Sequence, residues 1–490
     1  MRVSELITFD IIRDWKLNDT ISITAGTGAG KSYWVKNVLY LIAAEQKEQI
    51  LFLIHRSNCI NQFQNEILKD NKQDTIKIMS YQKLEAHYLK HNKHLDLSEY
   101  KYIVCDEFHY FLSDATFNKS TDLSLNNILE QQAIKIFMSA TSGTIEGYLT
   151  KFKNIELIRY ELPINFNFIN KLCFFNNEIT NETIIQYILN ETDDKAIFFI
   201  NSAEKAYKLY KKYKDQAIFN CSQNNSKYYK YVDTDIINDI LINERFDKQI
   251  LITTSCMDAG LNLIDDKLKY IIINDMFDIE VIKQMIGRKR LQNETEYINL
   301  YIKSYTNKQL GGIKSKLKQR IEKAKYFIEY GVEKYIDRYF KDNDKANIVY
   351  DINTENGFKK VLNELMYYKL SCNILSIDSI TLGKGSNNLG FNQYICNCLN
   401  YNDRYILIEE ENKKMELKEY LESLIGKALF KEEQKGLIDM IGLKDKQGRK
   451  QKAISLLNSY LIENYSMTLN SSRIRNEEGK KKTIWILSKI

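Results

Sequence analysis

Proline is nearly missing from this 490-residue chain; the one present is Pro163. Turns must therefore be closed by other residues, and Pro163 marks a place where no helix is expected to run through. Cysteine is present but unpatterned. No Cys-x-x-Cys pair occurs among the eight, and Cys396 and Cys398 read as two ordinary thiols, so neither a structural zinc site nor a disulfide framework is expected. Several cysteines sit in apolar runs that read as buried strands, which suits a reducing cytoplasm. No apolar run approaches the roughly 20 residues that a membrane span needs. The opening stretch MRVSELITFDIIRDW carries charges through its would-be apolar part and does not read as a signal peptide. Histidine is scarce too. His87, His91 and His94 fall at helical spacing but match no familiar ligand pattern, and read as a solvated helix face.

What is abundant is more informative. Hydrophobic residues make up 44% of the chain, enough for a sizeable core, and the length allows about three domains. Lys, Asn, Ile and Tyr are plentiful, a bias of AT-rich codons that fits a bacterial or phage source. The net charge of +6 is unevenly placed: residues 441–490 hold 11 Lys/Arg against 4 Asp/Glu, which leaves the rest slightly acidic. A local basic patch is the footprint of polyanion binding.

Short apolar runs alternate with helical stretches from Thr20 to Ser142. Ile21–Ala25, Ile50–Ile54, Ile76–Ser80, Tyr102–Asp106 and Ile134–Met138 read as strands of a parallel sheet covered on both faces. The pattern restarts with Leu172–Phe175, Ala196–Ile200, Ala217–Asn220, Ile250–Thr254, Tyr270–Asn274 and Tyr297–Ile302, and Ile155–Asn170 between the two sets reads as a linker. Beyond Ser304, Ile313, Leu317, Ile321, Ala324, Ile328, Val332 and Ile336 recur at helical spacing and predict one long amphipathic helix. Gly383–Gly390 reads as a loop. The chain closes with helical Lys431–Ile441 and Arg449–Glu463, then strand-like Thr468–Arg475 and Thr483–Leu487, which is the order of a winged helix.

The sharpest chemical signal is Ala25-Gly26-Thr27-Gly28-Ala29-Gly30-Lys31-Ser32, after a strand and opening a helix. Glycines there let backbone N–H groups turn inward around phosphate oxygens, Lys31 would reach the β- and γ-phosphates of a nucleotide, and Ser32 would ligate Mg²⁺. About 75 residues later, Asp106-Glu107-Phe108-His109 follows the strand Tyr102–Cys105. A carboxylate at a strand end can hold the Mg²⁺ that bridges phosphates, and Glu107 beside it can deprotonate the attacking water.

This spacing resembles the superfamily 2 helicases of the DExH type, whose first motif A-x-T-G-x-G-K-[ST] is matched throughout by Ala25–Ser32. The resemblance spans Ile21 to Ile302. It implies that Ser139-Ala140-Thr141 couples hydrolysis to strand contacts through Ser139 and Thr141. It also implies that Arg56, Ser80, Ser202 and Thr254 contact a nucleic-acid backbone. Thr253–Asn262 resembles the fifth motif, whose Gly260 counts with the nucleotide-binding residues, and Gln284–Arg290 resembles the sixth. Gln284, Arg288, Arg290 and His109 thereby join Lys31, Asp106 and Glu107 as catalytic candidates. The sixth motif departs from Q-x-x-G-R-x-x-R: Leu291 stands where the second arginine belongs, and Arg288 is expected to matter more than Arg290.

The expectation is an α/β chain. Residues 1–150 and 151–305 form two tandem RecA-like P-loop domains with parallel sheets, 306–415 a mainly helical extension, and 416–490 a basic winged-helix-like module. Its function is that of an ATP- and Mg²⁺-dependent nucleic-acid helicase or translocase in the cytoplasm, with no membrane partner. The tail favours DNA over RNA as the nucleic acid, through Arg449, Lys450 and Lys452 with Lys446 on the second helix and Arg473, Arg475 and Lys480–Lys482 in the wing. The alternatives are an RNA helicase or remodeller, and a non-unwinding translocase subunit of a nuclease or antiviral complex. A replication, repair or nuclease protein is the partner each would take.

Overall fold

The computed structural model describes residues 1–490 apart from 27, 56, 117, 119, 258–260, 340–347, 355–356, 382–389, 446 and 476–480. Two compact units result, Met1–Tyr405 and Ile406–Ile490.

The first unit is organised by two parallel sheets. In the first, β1 (Thr20–Thr24), β2 (Gln49–Ile54), β3 (Ile76–Ser80), β4 (Tyr100–Asp106), β5 (Ile134–Ser139) and β6 (Ile158–Glu161) lie in the order β3-β2-β4-β5-β1-β6. Along β2, Ile50, Phe52 and Ile54 enter one buried cluster while Leu51 and Leu53 enter another on the opposite face. Both faces are covered, which is why these strands read as unbroken apolar runs and not as alternating ones. The second sheet holds six parallel strands: β7 (Ile169–Phe175), β8 (Lys195–Ile200), β9 (Ala217–Asn220), β10 (Ile250–Thr253), β11 (Leu268–Asn274) and β12 (Ile298–Lys303). Their order is β7-β12-β11-β8-β10-β9. Two α/β domains in tandem are therefore present as expected.

Three readings of the sequence need correction. The linker opens with a strand: β6 pairs in parallel with β1, Ile21 opposite Ile158. It is an edge strand with mostly exposed side chains, so it carries no apolar run to betray it. The extension is mainly helical, as expected, but is not so throughout. β13 (Val349–Thr354) and β14 (Gly357–Leu362) form an antiparallel hairpin between the helices Asn307–Tyr339 and Glu364–Thr381. Nor does the extension stand apart, because Ile321, Ala324, Ile348, Leu365, Met366 and Leu370 share one core with Leu51, Ile103 and Phe137 of the first sheet. The long helix breaks at Gly331, where φ is +78° and ψ −176°. The apolar stripe is already lost before it: Ile321 and Ala324 are buried, Ile328 is 58% exposed, and Tyr335 is the residue buried beyond the break. The Gly383–Gly390 loop lies almost wholly outside the described residues.

The second unit has winged-helix order, beginning at 406 and not at 416. β15 (Ile406–Leu407) and the helix Ile408–Leu424 precede β16 (Ala428–Leu429), the helices Lys431–Ile441 and Ile454–Tyr465, β17 (Met467–Arg475) and β18 (Lys481–Lys489). The last three strands lie in the order β16-β18-β17, over a core of Leu421, Leu437, Leu457, Leu461, Leu469 and Leu487. The second of its expected helices starts later than the pattern suggested. Arg449, Lys450 and Lys452 lie in the turn before it, and its own sequence, ISLLNSYLIENY, has no basic residue.

One ionisable contact fastens the hairpin to the first domain. The Tyr350 hydroxyl donates to both oxygens of buried Asp122, at 3.1 and 3.2 Å. Burial pushes the Asp122 carboxyl up to about 7 against the pull of this hydrogen bond and of nearby backbone N–H groups, and neighbouring Glu364 adds to the rise. A folded-state pKa above the unfolded value gives stability that is complete in acid and is lost as pH rises through about 7. Asp122→Asn removes that dependence. Thermal unfolding at pH 5 and pH 8 should show the variant gaining on the parent at the higher pH, by an amount on the order of a few kcal/mol. Equal differences at the two pH values would show that Asp122 does not titrate between them.

Candidate active site and nucleic-acid interface

In a parallel sheet all carboxyl ends share one edge, and the segments that leave β1, β4 and β5 meet there. The turn after β1 has Gly28 at φ +88° and Gly30 at φ +85°, a left-handed backbone that favours glycine, and no atom stands within 4 Å of where a Cβ would project at either position. It is tied to the end of β5 by a hydrogen bond from the Ala25 N–H to the Ser139 carbonyl, 3.0 Å. The helix that follows starts at Lys31. The Lys31 side chain folds back so that Nζ donates to the Ala25 carbonyl at 2.8 Å and the Gly26 carbonyl at 3.4 Å. Burial lowers its pKa, while Glu107 and Asp106 oppose that shift.

Asp106 ends β4, and Glu107 turns the chain away with φ +50°. Burial and then the charge of Glu107 raise the Asp106 carboxyl to about 7. Burial would raise Glu107 as well, but His109, Lys31 and Arg288 outweigh it and hold this carboxyl well below the usual range. Nδ1 of His109 lies 3.2 Å from Glu107 Oε2 and 2.9 Å from Ser139 Oγ. The approach of His109 to Glu107 is a close contact and not an aligned hydrogen bond, since Oε2 has none among the described residues. Ser139 Oγ in turn accepts from the Thr141 N–H at 3.0 Å, and Thr141 Oγ1 accepts from Gln284 Nε2 at 2.8 Å. A continuous polar chain thus runs from the carboxylate in the first domain to the second.

The second domain presents two arginines. Arg288 is buried and donates through Nε to the Gln284 carbonyl and through Nη1 to the Leu261 carbonyl, 3.0 and 3.1 Å. Arg290 is held by Asn262, whose Oδ1 accepts from Nε at 2.9 Å and also from Nη2. Its Nη1 is buried with no partner among the described residues. Burial and neighbouring Arg288 lower Arg290 to about 10, against the pull of Glu107 and Glu244. Leu291 is partly exposed.

Most of the expected nucleotide residues are brought together: Lys31, Asp106, Glu107, His109, Ser139, Thr141, Gln284, Arg288 and Arg290. Thr27, Arg56 and Gly260 lie outside the described residues. Ser80 and Ser202 stand at carboxyl ends of β3 and β8, where each caps a helix by accepting from Lys83 N and Lys205 N. Thr254 Oγ1 accepts from Cys256 N at 3.5 Å. In the second unit Lys450 pairs with Asp439 at 2.6 Å, and Lys452 is exposed. Rings of His87 and His91 are 4.7 Å apart and His94 contacts Glu130; among the described residues no group of three or more His, Cys, Asp and Glu stands close enough to hold a metal ion.

Sequence reasoning missed a node that joins three parts of the unit. Glu280 accepts from Thr144 of the first domain, at 3.1 Å from N and 2.6 Å from Oγ1. Buried Lys369 of the extension reaches Asp278 at 2.7 Å and Glu280 at 3.5 Å. Asp278 caps the helix Ile279–Ile286 that carries Gln284. No motif spacing announces them, because the partners are 136 and 89 residues apart.

Residues 7–146 match the family model described as DEAD/DEAH box helicase. The first domain is a DEAD/DEAH box helicase domain. Such domains hydrolyse ATP in a nucleic-acid-dependent manner, and the turn and carboxylates described above lie within the matched residues. No helix among the described residues is long and apolar enough to cross a membrane. Comparison with curated proteins finds no match. Solved structures that resemble the chain include S. cerevisiae Dbp5 bound to RNA and ADP BeF3, with 16% identity, a TM-score of 0.44, and coverage of 61% of this chain and 82% of that one. Another is the DEAD-box helicase Mss116 bound to ssRNA and UDP-BeF, at 11%, 0.45, 71% and 91%. A third is Mycobacterium smegmatis helicase Lhr bound to ssDNA and AMP-PNP, at 14%, 0.42, 62% and 46%.

Proposed function

We propose that the chain is a helicase or translocase that hydrolyses ATP between its two α/β domains while a nucleic-acid strand, DNA in the first instance, lies across their carboxyl edges. The observation that carries this reading is the cluster of buried Lys31 and Arg288 and half-buried Arg290 around Asp106 and Glu107, in which one donor on Arg290 and one acceptor on Glu107 have no hydrogen-bond partner among the described residues. Unmet buried polar atoms of both signs fit a polyphosphate and a water. Mg²⁺ typically takes one or two protein oxygens and completes its shell with water and phosphates, and Ser32 with Asp106 fits that demand. The ion, when bound, would neutralise charge on the phosphates.

The roles then follow. The Gly28–Gly30 turn and Lys31 hold the phosphates, Glu107 takes the proton of the attacking water, and Arg290 with Arg288 answers the charge that develops on the transferred group. The Ser139–Thr141–Gln284 chain reports nucleotide state from one domain to the other. Arg56, Ser80, Ser202 and Thr254 hold the backbone of the strand, which makes the grip independent of sequence. DNA is favoured by the winged-helix order of the second unit and by the basic residues in its turn and hairpin.

Strand displacement on DNA and RNA duplexes with 3′ or 5′ tails tests the proposal, with Lys31→Ala as the control. Release of DNA strands that requires ATP is expected from the parent chain, and loss of at least tenfold in ATP turnover from the variant. ATP turnover without displacement of any duplex would favour the non-unwinding translocase. Displacement confined to RNA would overturn the preference for DNA.

A further inference from the structure

Away from the cleft, the second domain carries a surface where lysine and tyrosine interleave. Residues 203–231 contain seven lysines against two acidic residues, and Ser226-Lys227-Tyr228-Tyr229-Lys230-Tyr231 concentrates the pattern. The helix Ala203–Lys212 places Tyr207 over this segment. Rings of Tyr207 and Tyr231 stack at 4.3 Å with planes 23° apart, and Tyr228 lies 5.6 Å from Tyr207. Tyr207 also rests against Phe219 of β9 at 5.7 Å, which anchors the set to the sheet. Tyr231 is nevertheless 43% exposed.

The cations are of two kinds. Lys205, Lys208 and Lys212 are neutralised by Glu178 and Asp275, by Glu204, and by Glu182. Lys211, Lys227 and Lys230 are exposed and enter no ion pair among the described residues. Lys227 and Lys230 instead stand over the rings of Tyr228 and Tyr231 at 5.0 and 5.1 Å. A surface meant only to be solvated needs lysines but no ordered, half-exposed tyrosine stack. Pre-ordered rings beside unpaired cations are what single-stranded nucleic acid requires, the rings for its bases and the cations for its phosphates.

Topology puts this surface on the path of the strand. Strands β7 to β12 of the second sheet are parallel, so segments leaving the carboxyl ends of β8, β10 and β9 emerge on one edge. Ser202 follows β8, Thr254 follows β10, and the Tyr/Lys segment follows β9, the outermost strand. Asn220 at the end of β9 touches Cys256 beside Thr254, Nδ2 to Sγ 3.6 Å. We infer that the surface built by Tyr207, Tyr228, Tyr231, Lys211, Lys227 and Lys230 is a second binding site for single-stranded nucleic acid, which continues the strand past Ser202 and Thr254. This rests on the nucleic-acid reading above and adds to it a lengthened footprint with a stacking platform at its end.

The test measures binding of the full chain to single-stranded DNA and RNA oligonucleotides and to a blunt duplex at several salt concentrations. Two variants are compared with the parent. Lys211→Gln with Lys227→Gln and Lys230→Gln should reduce the salt slope on single strands by about 2, at about 0.7 for each lost phosphate contact. Tyr231→Leu keeps the apolar contact with Tyr207 and the charge, and should weaken single-strand binding about tenfold with the slope unchanged. Basal ATP turnover should be unaltered in both. If Tyr231→Leu does not fold, the exposed lysine variant decides alone. Parental affinity and slope in both variants would overturn the second site while leaving the motor reading in place. Absence of any single-strand binding by the parent chain would overturn both. An equal loss on the blunt duplex would overturn the assignment to single strands, and a loss on single strands alone would support it.

Discussion

Glu107→Gln is expected to leave ATP bound and to lower its hydrolysis by about 10²–10⁴-fold, the range in which a positioned base contributes. The amide keeps the shape of the side chain, and with it the left-handed turn at Glu107 that orients the group. What it loses is the ability to accept a proton. The parent carboxylate is ionised, as that task requires, while its lowered pKa makes it a weaker acceptor than an ordinary glutamate. His109, Lys31 and Arg288 overcome the burial penalty and keep it ionised, and Oε2 is without an aligned hydrogen bond among the described residues. Equilibrium binding of a fluorescent ATP analogue, set beside single-turnover hydrolysis, separates the two effects. Unimpaired turnover would remove Glu107 as the base. Loss of binding with loss of turnover would instead make it a ligand-holding residue, with the proton taken elsewhere.

The same carboxylate shows why much of this site was legible in the sequence. Lys31 and Glu107 are fixed by local rules: a turn that needs left-handed glycines before a helix, and an acidic pair at the end of a buried strand. Each rule leaves a contiguous trace. β2 and β4 were equally readable, because sheets covered on both faces need unbroken apolar runs. What stayed hidden depends on distant partners or on edges. β6 pairs only with β1 and is mostly exposed, so it needs few apolar residues. Asn262 and Arg290 acquire meaning only when they meet, and Lys369 only when Asp278 and Glu280 lie beside it. The stripe of the long helix misled for the opposite reason. Ile328, Val332 and Ile336 keep helical spacing in the sequence, but Ile328 is already exposed before the backbone break at Gly331, and Val332 and Ile336 follow the break and are partly exposed. In the tail, the lysines and Arg449 taken for a helix precede it, because charge density there marks a turn.

Those distant contacts bear on how hydrolysis is sensed. Gln284 bonds to Thr141, and four residues along, the backbone carbonyl of Gln284 holds Arg288. Glu280, one turn earlier on the same helix, bonds to Thr144 and is reached by Lys369. A single short helix therefore carries the interdomain hydrogen bonds at both its ends, and any motion of one domain against the other must break or move them together. That makes the arginines following this helix dependent on domain closure, whereas the backbone that places Lys31 and Glu107 belongs to the first domain.

Arg290→Ala is expected to reduce ATP turnover by about 10³–10⁵-fold with little change in ATP affinity, the size of effect attributed to an arginine that meets the transferred phosphoryl group. The sixth motif by itself pointed to Arg288 as the larger contributor, since Arg288 keeps its family position and Leu291 replaces the next arginine. The geometry shifts the weight. Nε and Nη1 of Arg288 are spent on carbonyls of its own domain, so truncation there should open the sixth motif's turn and cost stability along with turnover. Arg290 has Nη1 buried without a partner among the described residues, its other donors oriented by Asn262, and Glu107 close enough to pull on its charge. A buried guanidinium donor left unmet is costly unless a ligand takes it, and a phosphate oxygen is the ligand that this site admits. Asn262→Ala provides the discriminating control. If Asn262 aims the guanidinium, its loss should lower kcat partway toward the Arg290→Ala value at unchanged KM for ATP and unchanged melting temperature. Arg290→Lys should not rescue, since an ammonium cannot reproduce the planar fork. Turnover near the parent value in Arg290→Ala, with a severe loss in Arg288→Ala at intact stability, would return the role to Arg288.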